Sequence, residues 1–168
     1  MKHSFIQNAA RDGLLLGALA VLFLFIPASS FVLTAVLTVV KLGATIGLFG
    51  YLLRRQSAHS EAFTYATAIG YGTLAAAFSA FILGVVYFLQ FTVINPELTE
   101  TLLLSMTLTY ERMGMSEMVD TVEDFRPYLP YLVFIICLFY YTLIGFVYSL
   151  VFGFFVKHRT PPVAPPFN

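Results

Sequence analysis

Residues 31–53 read FVLTAVLTVVKLGATIGLFGYLL, an apolar run of 23 residues broken once, by Lys41, and closed by Arg54 and Arg55. At about 1.5 Å of rise per helical residue, such a run crosses the roughly 30 Å hydrocarbon core of a bilayer. It predicts a membrane-spanning helix. Lys41 lies ten residues below Phe31, about 15 Å down that helix. A lone ammonium removed from water costs from about 3 to over 10 kcal/mol, so it seeks a carboxylate, a pore or the interface.

The composition agrees with a membrane protein. Of 168 residues, 59% are hydrophobic and only 11% charged, with a mean hydropathy of +0.84. That apolar fraction exceeds what a soluble core of ordinary composition buries. The formal net charge is zero and no clustered basic face is present, which argues against a nucleic-acid partner. One cysteine, Cys137, sits inside an apolar run. It supports neither a disulfide framework nor a thiolate metal cluster.

Working outward from residues 31–53, the expected fold is all-α, with four spans at about 5–26, 31–53, 66–94 and 128–156 in a single domain over 1–159. The two leading runs read as a tight hairpin turning at Ala28 to Ser30. The competing reading takes Pro27-Ala28-Ser29-Ser30 as a signal-peptide cleavage region, but the second span follows too closely for that to be preferred. Ser60 is a candidate N-cap for the third helix, with Glu61 in its first turn. Asn95-Pro96-Glu97 reads as a helix restart, and Lys157-His158-Arg159 stop the fourth span. Residues 160–168, with Pro161, Pro162, Pro165 and Pro166, read as an extended tail. Lys2, Arg11, Arg54, Arg55, Lys157 and Arg159 fall on one side of the bilayer and Arg112 and Arg126 on the other, so both termini are expected in the cytoplasm.

Between the third and fourth spans, residues 95–127 carry seven acids against two arginines, a net charge of −5. Leu98, Leu102, Met106, Thr109 and Met113 repeat at helical spacing, Gly114 offers a stop, and Ser116 offers a cap for a second helix lined by Met115, Met118, Val119, Val122 and Phe125. Two short amphipathic helices are expected on the exoplasmic side. Four of the five methionines lie here, and their flexible thioethers suit an adaptable contact surface for a protein partner; the plainer reading is a cover for the tops of the spans.

Helix association in lipid depends on small residues that let backbones approach. Gly13 and Gly17, Gly43 and Gly47, and Gly145, Ser149 and Gly153 supply such stripes on the first, second and fourth spans. The third has the longest, Ala68, Gly72, Ala76, Ala80 and Gly84, and is expected to be the central packing helix. Whether one stripe serves a homo-oligomer is left open by the sequence.

For Lys41, depth measured from the hairpin places Asp12 about 22 Å down the first span, within a lysine side chain of the same level. An Asp12–Lys41 ion pair is the preferred expectation, with snorkelling of Lys41 toward the exoplasmic surface as its rival. Tyr140 and Tyr141, about 18 Å down the fourth span, complete a candidate intramembrane polar cluster of Lys41, Asp12, Tyr140 and Tyr141. Catalytic, metal and cofactor signatures are absent. His3, His59 and His158 are scattered, Ser79 has no activating partner, and Gly70-Tyr71-Gly72 inside an apolar helix means packing. Three classes therefore stand: a non-enzymatic accessory subunit first, a small transporter or lipid-binding protein using Lys41 second, an intramembrane enzyme last.

The runs Phe63-Thr64-Tyr65-Ala66, Gly70-Tyr71-Gly72, Phe78-Ser79-Ala80, Asn95-Pro96-Glu97 and Lys41-Leu42-Gly43 resemble those of an uncharacterised family of small four-span bacterial inner-membrane proteins, a domain of unknown function. The likeness covers almost the whole chain. It implies four spans in the bacterial inner membrane and no assigned catalytic residue. Its members are often encoded beside a membrane-associated glycosyltransferase, which further implies an accessory role in building lipid-linked or surface glycans.

Overall fold

Apolar periodicity over long uninterrupted runs yields helices throughout, and among the described residues the chain has no strand. The computed structural model describes residues 2–26, 30–60, 62–115 and 117–156. The expected turn at Ala28 and Ser29, the Glu61 and Ser116 positions, the Lys157-His158-Arg159 stop and the proline-rich tail lie outside those residues. The elements are α1 (Lys2–Leu24), α2 (Phe31–His59), α3 (Tyr65–Leu89, continued by a π-turn over Gln90–Ile94), α4 (Glu97–Arg112), α5 (Glu117–Asp124) and α6 (Leu129–Phe155). Four stretches are long and apolar enough to cross a bilayer: Ser4–Leu24, Phe31–His59, Tyr65–Ile94 and Arg126–Phe155.

Ser30 starts α2, its Oγ accepting the Leu33 N–H at 3.2 Å. The helix then continues past Arg54 and Arg55 to His59. Ser60 is not the N-cap of α3. Its hydroxyl donates back to the Gln56 carbonyl at 2.9 Å, closing α2, and Thr64 caps α3 by accepting the Thr67 N–H at 3.3 Å. The intervening Phe63 is fully buried, so the connection dips into the core and delays the helix start.

The centre of the bundle is α3, packed between α1 and α6. A Cβ on Gly145 of α6 would collide with Ala76, and one on Gly72 would collide with Ser149. A Cβ on Gly13 of α1 would fall 2.5 Å from the Ala75 carbonyl oxygen and 2.6 Å from Phe78 Cβ, so it too would collide with α3. The Ser149 hydroxyl is satisfied within α6 by donating to the Gly145 carbonyl at 2.7 Å, leaving its small body free to pack.

The second span departs from the expected stripe. Gly43 and Gly47 have nothing within 4 Å of an added Cβ, because α2 joins the bundle only at its far end, through Phe49, Leu52 and Leu53. Phe31, Ala35, Thr38, Leu42, Thr45, Phe49 and Leu52 recur with alternating spacings of four and three, the seam of a supercoiled helix pair. That seam is covered at one end and bare at the other. Phe49 and Leu52 are 5% and 3% exposed, whereas Leu42 and Phe31 are 52% and 89% exposed.

Between α3 and α6, Leu103 of α4, Val122 of α5 and Leu129 form a small core with Met106 and Tyr110 around it. Gly114, at φ +71°, ends α4 in the left-handed region that glycine tolerates. Met113, Met115 and Met118 remain exposed, and Arg126 donates to Glu100 at 2.7 Å on the surface.

Candidate functional site

Asp12 shares a helix face with Ala9, Leu16 and Ala20, all of them buried, since offsets of three, four and eight residues bring side chains to one side of a helix. That face looks onto α3. A carboxylate on it is removed from water and requires compensating donors. Two arrive from different helices. Arg55 Nη2 of α2 donates to Asp12 Oδ1 at 2.5 Å, and Tyr71 Oη of α3 donates to Oδ2 at 2.6 Å. The Asp12 side chain is fully buried while that of Arg55 is 34% exposed. The guanidinium thus keeps part of its hydration while Nη2 donates a charge-assisted bond to the carboxylate.

Around this centre, Phe5 lies edge-on to Tyr71 at 5.3 Å. Asn8 of α1 donates to Gln56 of α2 at 3.3 Å, and His59 Nδ1 lies 2.7 Å from the Arg55 carbonyl. The space beside it, lined by Leu16, Phe49, Leu52, Leu53, Tyr71, Gly72 and Ala75, is about 10 Å³, enough for one water at most. The lining is apolar. With both carboxylate oxygens engaged and no room for a substrate, the arrangement is a three-helix clasp that fixes the register of α1, α2 and α3.

The expected Asp12–Lys41 pair is therefore corrected: the carboxylate belongs to Arg55 and Tyr71. Lys41 is half-buried, and among the described residues it makes no ion pair or hydrogen bond. Tyr140 is 57% exposed and stacks edge-on against Tyr141 at 5.3 Å. Tyr141 shares its side-chain hydrogen bond with Tyr87 of α3. The four residues do not converge. Sequence reasoning passed over Arg55 and Tyr71, although Asp12's place on the Ala9, Leu16, Ala20 face pointed toward α3 and away from mid-α2.

Among the described residues no group of three histidine, cysteine, aspartate or glutamate side chains could hold a metal ion. The sequence pattern of the family described as protein of unknown function (DUF4199) matches residues 11–158. No curated protein matches the chain, and no solved structure does.

Proposed function

Since the chain belongs to the DUF4199 family, whose name assigns no activity, we propose from its geometry that it is a non-enzymatic accessory subunit that holds a partner in the membrane. The observation carrying this is α2. One end of its seam is buried against α1, α3 and α6, and the same seam continues exposed from Leu42 to Phe31. Packing drives helix association in lipid, and a ready-made seam left bare offers a surface for another helix. The clasp at Asp12 holds the other end of α2 rigidly, so the bare end is presented at a fixed angle.

The membrane in this reading is the bacterial inner membrane, and the setting is glycan or lipid assembly, as the family resemblance implies. Both termini lie in the cytoplasm, supported by the six-to-two distribution of basic residues. A second reading, a small transporter or lipid-binding protein, has one observation in its favour: the Lys41 ammonium is without an ion pair among the described residues.

The test is extraction of the tagged chain from its native membrane in mild detergent, followed by native mass measurement. The subunit reading predicts recovery with a protein partner at fixed stoichiometry. A chain recovered alone, and able by itself to carry a solute across a liposome wall, overturns it in favour of transport.

A further inference from the structure

Lys41 immediately precedes Leu42 of the seam, so in heptad terms it stands at a flanking position. Residues there face the flanks of a partner helix and set partner choice through charge. The bare seam and the lone cation are thus one feature. The acids of the chain are Asp12, Glu61 and seven between Glu97 and Asp124. Among the described residues Asp12 is the one acid within a span, and Arg55 and Tyr71 occupy both its oxygens. Lys41 begins about 15 Å from the Ser30 end of α2, and a lysine stem of about 6 Å leaves its ammonium well inside hydrocarbon even when it snorkels.

A second copy does not answer this need. Two copies inserted in one orientation would pair α2 with α2 in parallel, where a flanking lysine meets the partner's flank about five residues on. That position is Ile46, and the other near flank is Val39. Neither offers an acceptor. We infer that the bare seam of α2, from Phe31 to Leu42, receives a transmembrane helix of a different protein that carries an aspartate or glutamate at mid-span, paired with Lys41. This rests on the accessory-subunit reading and names the chemistry of the partner.

The test uses the full chain reconstituted in phosphatidylcholine bilayers. The probes are dye-labelled 23-residue polyleucine spans with a single central glutamate, glutamine or lysine, and association is read by energy transfer. The glutamate span is expected to bind about three- to thirty-fold more tightly than the glutamine span, the range of interhelical polar contacts in lipid. Lys41→Met removes that preference, and Lys41→Glu transfers it to the lysine span. Because Lys41 makes no ion pair among the described residues, both variants keep the native unfolding temperature, which is measured alongside.

Equal binding of the glutamate and glutamine spans overturns the proposal, as does a glutamate preference that survives Lys41→Met. A flat peptide series with Lys41-dependent retention of phosphatidylglycerol also overturns it, and gives the ammonium to a lipid headgroup. A partner that co-purifies beside a flat series keeps the subunit reading and rejects the acidic helix. A charge-selective series with a chain that purifies alone does the reverse.

Discussion

At Asp12 the energetics turn on what each member of the clasp can do when its partner is removed. Arg55→Met leaves a fully buried carboxylate with Tyr71 as its remaining donor, a loss of about 3 to 5 kcal/mol for comparable buried pairs. Asp12→Leu is milder, because the partly exposed guanidinium can turn to water and the main casualty is the unsatisfied Tyr71 hydroxyl, about 1 to 3 kcal/mol. Thermal unfolding in detergent is expected to rank Arg55→Met below Asp12→Leu, with the double variant recovering much of the loss. Equal effects would sink the clasp. In the same assay Gly145→Ala, which drives a methyl into Ala76, lowers stability by about 1 to 3 kcal/mol, while Gly43→Ala, in open space, does not. Asp12 was legible as a buried charge because a carboxylate amid apolar turns must find donors. Its partner was not, because matching depths from the hairpin turn takes no account of side-chain direction, and Arg55 reaches its acceptor from two residues beyond the end of the apolar run.

Individual elements were legible where hydropathy decides them and less so where local hydroxyl chemistry does. Residues 31–53 announce a helix by length alone, yet α2 runs on to His59, since Arg54 and Arg55 are good helix formers and charge does not end a helix that has left the membrane. Ser60 and Thr64 are both capping residues by type, and burial of Phe63 between them chooses Thr64. The long small-residue stripe of α3 identified the central helix correctly, because small residues along its whole length let α1 and α6 approach it closely. For α2 the same argument misled: Gly43 and Gly47 face away from the seam. At this scale the orientation can be tested. A cysteine at Glu111, exposed in α4, should react with an impermeant maleimide added outside intact cells, and one at Ala58, exposed near the end of α2, should not. The opposite pattern would invert the chain in the membrane.

For the molecule as a whole, α1, α3 and α6 form a closely packed trio, and α2 is attached to it by a buried apolar end and the Asp12 clasp. The short helices α4 and α5 pack on each other and on Leu129 through Leu103 and Val122, with Met113, Met115 and Met118 exposed. The space beside the clasp is about 10 Å³, and the face of α2 from Leu42 to Phe31 is exposed. The most direct measurement is a photo-crosslinking scan along α2 in native membranes, with the reactive residue placed in turn at each position from 31 to 45. Protein adducts should recur at 31, 35, 38, 42 and 45 and fall away at 32, 36, 39 and 43, the 3.5-residue rhythm of a helix seated on the seam. Uniform yields, or lipid adducts alone at every position, would contradict the account.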